Sequence, residues 1–408
     1  RDVLGSRGLG DVYKRQLHLR SVTLTAKDKI CLCETRECTP EACPYANGYY
    51  ARIKGALWDV LDVPCLTAET LQEYAERYMV CPFELGLDSS LWSDVIIGDY
   101  NYLFDPVVHL VRFFESAGDY IFLVDEAHNL PGRAREMHSA ALTKTSFYEA
   151  KKLLGKGKSS LKNALTKVND VFIEWRHRAE EETAARDGRF GKTFFLKERS
   201  EEFDHLLNRL CEPLEAWLDD HREPDETHTA LLQLYFDVRA WLRVADTFDD
   251  HFVLQITASG SEVRAAQLCL DPSAFLADSF ALGRAAVLFS ATLAPASYYK
   301  DLCGVPEARA VALRSPFPAG NQGLFCIGNV STRYKDRDAS LAIVEESLAT
   351  MVRARCGNYL AFFPSYAYME QAYAQFKEHC PEINCIKQEN AMDEQQKAAF
   401  LAQFVPGP

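Results

Sequence analysis

Asp125 and Glu126 stand side by side directly behind the apolar run Tyr120-Ile-Phe-Leu-Val124. The run has the length and composition of a buried parallel strand, so it delivers two adjacent carboxylates at the strand's carboxyl end. In open α/β sheets, ligands bind in the crevice beyond that end. One carboxylate there can hold Mg²⁺ through water while its neighbour orients or deprotonates an attacking water, which is the chemistry of nucleotide hydrolysis. His128 follows within the same turn. A bare Asp-Glu-Ala-His can arise by chance, and the apolar residues before it give it weight.

A second chemical cluster precedes the first. Cys31, Cys38 and Cys43 lie close together, and Cys81 follows in Val80-Cys-Pro-Phe-Glu84. Four thiolates at irregular spacing suit a cubane iron–sulfur cluster. Zinc competes, because Cys38 and Cys43 also lie within zinc-ligand spacing, and spacing alone leaves the two open. Cys33 is a fifth candidate that could replace Cys31, whereas Cys65, in Val-Pro-Cys-Leu66, reads as a packing residue.

A hydrolytic acidic pair needs a phosphate cradle, normally G-x-x-x-x-G-K-[ST] between a strand and a helix. Gly157-Lys158-Ser159 has Lys152 where the leading glycine belongs, and Gly191-Lys192-Thr193 has Arg186 there. Both sit in charged helical sequence and read as solvated turns. The cradle is therefore expected upstream of Leu17. Residues 1–16 are expected to be a non-native leader, and the stop after Phe404-Val-Pro-Gly-Pro408 to be a truncation.

At 408 residues two to four domains are expected. No apolar run approaches the roughly 18 residues of a membrane span, and no export signal is evident. Thirteen cysteines, an odd and unevenly placed number, favour reduced thiols in the cytoplasm and a metal site. The net charge of −13 argues against a nucleic-acid partner only weakly, because binding needs no more than a local basic track.

Taken in order, the cysteine cluster, Asp99-Tyr-Asn-Tyr-Leu-Phe-Asp-Pro106, Val124-Asp-Glu-Ala-His-Asn129 and Ser290-Ala-Thr-Leu293 resemble the XPD/DinG-type iron–sulfur helicases of superfamily 2. Leu24-Thr-Ala-Lys27 is similar to their motif Ia, and Tyr359-Leu-Ala-Phe-Phe-Pro-Ser365 to motif IV. The resemblance spans about Leu17 to Phe404 and lacks the phosphate loop and motifs V and VI. It implies an ATP-dependent DNA helicase moving 5′ to 3′ on single-stranded DNA, of DNA repair or replication type. It implies a 4Fe–4S cluster on Cys31, Cys38, Cys43 and Cys81, with Mg²⁺ on Asp125, water activation by Glu126, and coupling through His128 and the Ser290-Ala291-Thr292 segment. Nucleic-acid contacts are expected from Thr25, Lys27, Tyr49, Arg52, Tyr100, Asn101 and Tyr102. For Tyr45, Tyr49 and Tyr50, beside Arg52 and Lys54, helical packing competes with base stacking. The expected partners are ATP and single-stranded or forked DNA, the expected state a monomer in the cytoplasm, on the nucleoid if bacterial. Without its loop the fragment is expected to be inactive alone. A non-catalytic, metal-stapled DNA-binding module is the rival reading.

The fold class expected is α/β: a RecA-like parallel-sheet motor domain with iron–sulfur and helical Arch insertions, plus a partial second RecA-like domain. Residues 17–85 would hold the motif Ia region and cluster domain, and 86–136 motor domain 1. Residues 137–251 would form the Arch insertion, 252–313 the return to motor domain 1, and 314–408 the partial second domain. Within the Arch, residues 144–199 carry 14 Lys/Arg against 8 Asp/Glu, a track that could line a DNA path or be a solvated face. Buried strands are expected at Asp94–Asp99, Tyr120–Val124, Ala285–Phe289 and Tyr359–Phe363. Gln388 is a weak further candidate for nucleotide or DNA contact.

Overall fold

The computed structural model describes residues 19–404 apart from 157–158, 186–191, 224, 332, 390–391 and 393. The leader and the glycines of both rejected phosphate-loop matches lie outside the described residues. Two compact units divide at residues 311 and 312. Among the described residues the first holds nine strands: β1 (Ser21–Thr23), β2 (Cys65–Leu66), β3 (Val95–Ile97), β4 (Ile121–Val124), β5 (Ala140–Thr143), β6 (Lys192–Leu196), β7 (Phe252–Ser259), β8 (Glu262–Cys269) and β9 (Ala285–Leu288).

Two parallel pieces carry the α/β character. One has the order β2-β1-β3, with Val22 opposite Leu66 and Ile96. The other pairs β4 with β9, Phe122 opposite Ala286 and Val124 opposite Leu288. The strands expected at Asp94–Asp99, Tyr120–Val124 and Ala285–Phe289 are present, but they are not buried on both sides. Val124 is buried, while Ile121 is 64% exposed and Leu123 67%. Ile96 and Ile97 of β3 are likewise open to solvent. A parallel strand is sealed only where helices cover both faces, and one face here is uncovered.

Helices gather around β1. Thr67 accepts a hydrogen bond from the Thr70 amide at the start of helix Ala68–Tyr78, which stops at Met79 with φ of 52°. Cys81 precedes helix Pro82–Ser89, with proline in its first turn, where a missing N–H costs nothing. With helix Tyr49–Val60 these bury Ile30, Ile53, Leu71, Val80 and Leu85 against Val22.

β7 and β8 do not return to the parallel strands as expected. They form a hairpin whose two-residue turn starts at Gly260, with φ of 62°, and they pair antiparallel with β6 and β5 in the order β5-β8-β7-β6. Eight-residue strands with their own tight turn find partners locally, so the sheet closes around the helical insertion instead. Helices Lys144–Leu153, Ser160–Ala185, Glu201–Asp220 and Glu226–Thr247 cover it, burying Phe147, Phe172, Phe203, Trp241, Leu254 and Ile256 in one core. Helix Ser273–Ala281, β9 and Cys303 lead back to the core around Val124.

The second unit contains helices Arg337–Ala354, Tyr366–His379 and Glu394–Leu401, and the first two pack around a small core of Ala349, Phe376 and Cys380. The helices match the expectation. The strand expected at Tyr359–Phe363 is not formed among the described residues: Leu360 and Phe362 are exposed, and no second extended segment pairs with theirs.

Asp204 is buried inside the insertion. Its Oδ1 accepts from Trp241 Nε1 at 2.8 Å, while Oδ2 has no hydrogen-bond partner and the Arg199 guanidinium stands 4.0 Å away. Burial raises its pKa above the ordinary carboxylate value, against the pull of Trp241 and Arg199. The folded state thus holds this proton more tightly than the unfolded one. The associated stability is complete below the unfolded value of about 3.9 and is lost as pH rises through the raised folded value. Asp204→Asn, which keeps an acceptor for Trp241 but has no charge, should gain stability relative to wild type as pH rises from 4.5 to 8. Urea unfolding midpoints at the two pH values check this, and a constant difference would refute it.

Candidate functional site

β4 ends in a turn that its neighbour shapes. Phe289 donates its N–H to the Val124 carbonyl at 3.0 Å and accepts from the Ala127 N–H at 3.1 Å. Asp125 and Glu126 lie between those bonds and bulge out of the ladder. Glu126 has φ of 45°, a left-handed conformation that costs a residue with a side chain roughly 1–3 kcal/mol. Its N–H donates to Asp125 Oδ1 at 2.7 Å.

Beyond β9 the Ser290 hydroxyl faces this turn. It donates to Glu126 Oε2 at 3.2 Å, lies 2.8 Å from His128 Nδ1, and accepts from the Thr292 N–H at 3.2 Å. One hydroxyl has one proton to give. With that proton on Glu126, His128 is the donor to Ser290 through Nδ1, which leaves Nε2 as an acceptor. His128 Nδ1 also lies 3.4 Å from Glu126 Oε2. The structure therefore brings together Glu126, His128, Ser290 and Thr292. Asp125 stands exposed beside them, and Ala291 contributes backbone alone.

The Asp99–Asp105 segment is clasped to the same turn. The Tyr100 hydroxyl donates to the Asp125 carbonyl and lies 3.1 Å from that of Glu126. Its ring meets Phe104 edge-on, and Phe104 meets Phe280. Burial, then the Asp125, Glu126 and Asp99 carboxylates, raise the Tyr100 pKa and keep its hydroxyl a donor. Arg133, on helix Leu130–Met137, reaches Asn101 Oδ1 at 3.4 Å and Asp99 at 3.9 Å. Tyr102 packs with its ring across Gly98, where a Cβ would sit 2.7 Å from it. Arg133 escaped sequence reasoning. The signal for it was its place in the first turns of the helix after the acidic residues, from which a side chain leans back toward the preceding turn.

The cysteine region is partly assembled. Cys33 Sγ lies 3.9 Å from Cys43 Sγ, and burial, with Cys43 and Cys31 beside it, pushes the Cys33 thiol up to about 11. Burial opposes the charge of Lys27, but Cys38, Glu84 and Cys81 outweigh it and raise its pKa. The donor set is chemically right for iron or zinc. Among the described residues, however, no three cysteine, histidine or carboxylate side chains converge closely enough to hold a metal ion.

Several residues expected to meet nucleic acid are occupied by the protein itself. Lys27 Nζ sits 3.5 Å from Glu84 and over the Phe83 ring, beside Thr25. Tyr49 is buried and donates to Asp88 Oδ2 at 2.8 Å. Arg52 donates through Nε to the Met79 carbonyl at 2.9 Å, and through Nη2 to the carbonyls of Pro44 at 3.1 Å and Asn47. The outer face of the same helix shows other residues: Tyr50 is 87% exposed and Trp58 76%. Arg52→Ala should therefore destabilise this region by about 1–3 kcal/mol, since it leaves carbonyls without their charged donor. Thermal unfolding tests this, and a variant as stable as wild type would show those bonds to be idle.

Comparison with known proteins adds similarities of sequence. Residues 3–147 match the DEAD_2 family model. The XPD helicase subunit of general transcription and DNA repair factor IIH from Schizosaccharomyces pombe is 24% identical over 383 residues, covering 76% of this chain and 49% of that protein. A regulator of telomere elongation helicase 1 homolog from Anopheles gambiae is 28% identical over 139 residues, covering 31% of this chain and 14% of that one. The chain thus spans half or less of these relatives' length. A solved XPD helicase aligns with a TM-score of 0.47 at 17% identity, covering 94% of this chain and 65% of its own. Among the described residues no helix is long and apolar enough to cross a membrane. Through its DEAD_2 match at residues 3–147 and these relatives, the chain is similar to XPD-type helicases of superfamily 2.

Proposed function

We propose that this chain is part of an ATP-dependent DNA helicase that moves 5′ to 3′ along single-stranded DNA. The observation that carries the reading is the Ser290 hydroxyl between Glu126 and His128, which ties the acidic turn after β4 to the loop after β9. A carboxylate hydrogen-bonded to a hydroxyl of the neighbouring strand is placed to sense what that strand's loop does. Similarity to relatives named as helicases, one of them a subunit of a DNA repair factor, supports this reading.

In this reading Asp125 would hold Mg²⁺, which supplies charge neutralisation at the phosphates when bound. Glu126 accepts the proton of the attacking water, and its bond from Ser290 fixes which oxygen is free to do so. His128 holds Ser290 in place through Nδ1. Thr292 holds it from the other side through its N–H, so a shift of residues 290–292 changes the Glu126 hydrogen bond directly. Cys31, Cys38, Cys43 and Cys81 would hold a 4Fe–4S cluster, which would cross-link a segment with little core of its own. Residues 137–251, extended through β8 by the sheet pairing, would form the Arch insertion, and residues 314–408 part of the second motor domain.

Glu126→Gln in the full-length gene product should lower the turnover of Mg–ATP at least ~100-fold while nucleotide still binds. Hydrolysis measured with and without single-stranded DNA tests this. A wild-type protein that never hydrolyses ATP defeats the motor reading. Cys81→Ser should lose iron and loosen the region from Cys31 to Leu85 while the β4–β9 pair stays folded. Iron content unchanged by that substitution would show the ligand set to be wrong, and zinc in place of iron would remove the cluster.

A further inference from the structure

The segment before β4 touches the acidic turn at its backbone. Phe289 spends both its N–H and its carbonyl on Ala127 and Val124, so the bulged residues 125 and 126 lie outside the strand ladder. The Glu126 carbonyl is satisfied within the turn, by the Asn129 N–H at 2.9 Å. For the Asp125 carbonyl the donor is the Tyr100 hydroxyl, which stands 3.1 Å from the Glu126 carbonyl as well.

We propose, on the footing of the hydrolytic reading above, that Tyr100 is a positioning residue for nucleotide hydrolysis. Its hydroxyl holds the peptide between Asp125 and Glu126 in the left-handed conformation that presents the Glu126 carboxylate to Ser290. A residue with φ of 45° relaxes to a right-handed or extended conformation unless its neighbours hold it. Either relaxation rotates the Glu126 side chain away from its present direction and breaks the 3.2 Å bond from Ser290. Tyr100 is itself braced. Its ring lies on Phe104, and Phe104 is buried against Phe280. Asp99 Oδ1 caps the Asn101 N–H at 3.1 Å, and Arg133 ties Asn101 and Asp99 to the helix that follows the acidic turn. Tyr100, expected among the nucleic-acid contacts, here spends its hydroxyl on the backbone of the acidic turn.

Tyr100→Phe keeps the ring and removes only the hydroxyl. In the full-length gene product it should lower kcat for Mg–ATP about tenfold, with KM for ATP within about twofold of wild type and an unchanged melting temperature. Tyr120→Phe, a ring in the aromatic cluster beside β4, is the control and should leave kcat alone. An unchanged kcat in Tyr100→Phe overturns the proposal, as does a fall in kcat matched by a fall in melting temperature. Wild-type protein without Mg–ATP hydrolysis overturns the reading beneath it, and the positioning role with it.

Discussion

Everything at the candidate site depends on β4 lying parallel to β9. The two strands are far apart in the chain, and Ser290 and Glu126 are separated by 164 positions. Pairing them leaves Phe289 bonded on both sides of the acidic bulge, so the turn and the hydroxyl loop move as one piece. A long excursion between two pairing strands costs less entropy than its length suggests, because loop-closure entropy grows only logarithmically. Here the excursion is also closed at its own base. Ala140 of β5 stands opposite Gln267 of β8, the Cys269 N–H donates to Ser139 Oγ, and Arg135 Nε donates to the Leu270 carbonyl. The insertion leaves and re-enters at neighbouring points. It can therefore carry its own core without pulling β4 and β9 apart.

Chemistry-bearing residues within one element were readable from sequence, and partnerships between elements were not. The apolar run ending in Asp125-Glu126 announces a strand and what it delivers, because strand length and carboxylate adjacency are local properties. The Ser290–His128–Glu126 contact follows once two such strand ends are set side by side. β7 and β8 show where this stops. Their composition marks them as strands, but nothing in it says which strands they join, and a tight turn at Gly260 decided it. Tyr359–Phe363 has the composition of a strand without a described neighbour to bond, and so is not one.

Basic and aromatic side chains were the least readable. Lys27, Tyr49 and Arg52 have the composition of a nucleic-acid surface, yet each is spent on Glu84, Asp88 or backbone carbonyls. An amphipathic side chain satisfies an internal acceptor and an external phosphate with the same atoms, so its type does not distinguish the two. In an acidic protein the internal acceptors are numerous. On helix Tyr49–Val60 the period separates them: Tyr49, Ile53, Ala56 and Val60 form the buried stripe, Trp58 falls opposite it and Tyr50 to one side.

The Arg52 guanidinium also bears on how the cysteine region is built. Pro44 follows Cys43 directly, and Met79 precedes Cys81 by two residues. One planar group bonded to the carbonyls of Pro44, Asn47 and Met79 thus draws together the chain beside two thiols that lie in different parts of the sequence. Cys33 approaches Cys43 from the first side, while Cys38 and Cys81 are near enough to Lys27 to raise its pKa. Arg52 therefore draws the chain beside Cys43 and Cys81 together by contacts that need no metal. Residues 34–42 are exposed and lack helix or strand, so this stretch has little core of its own.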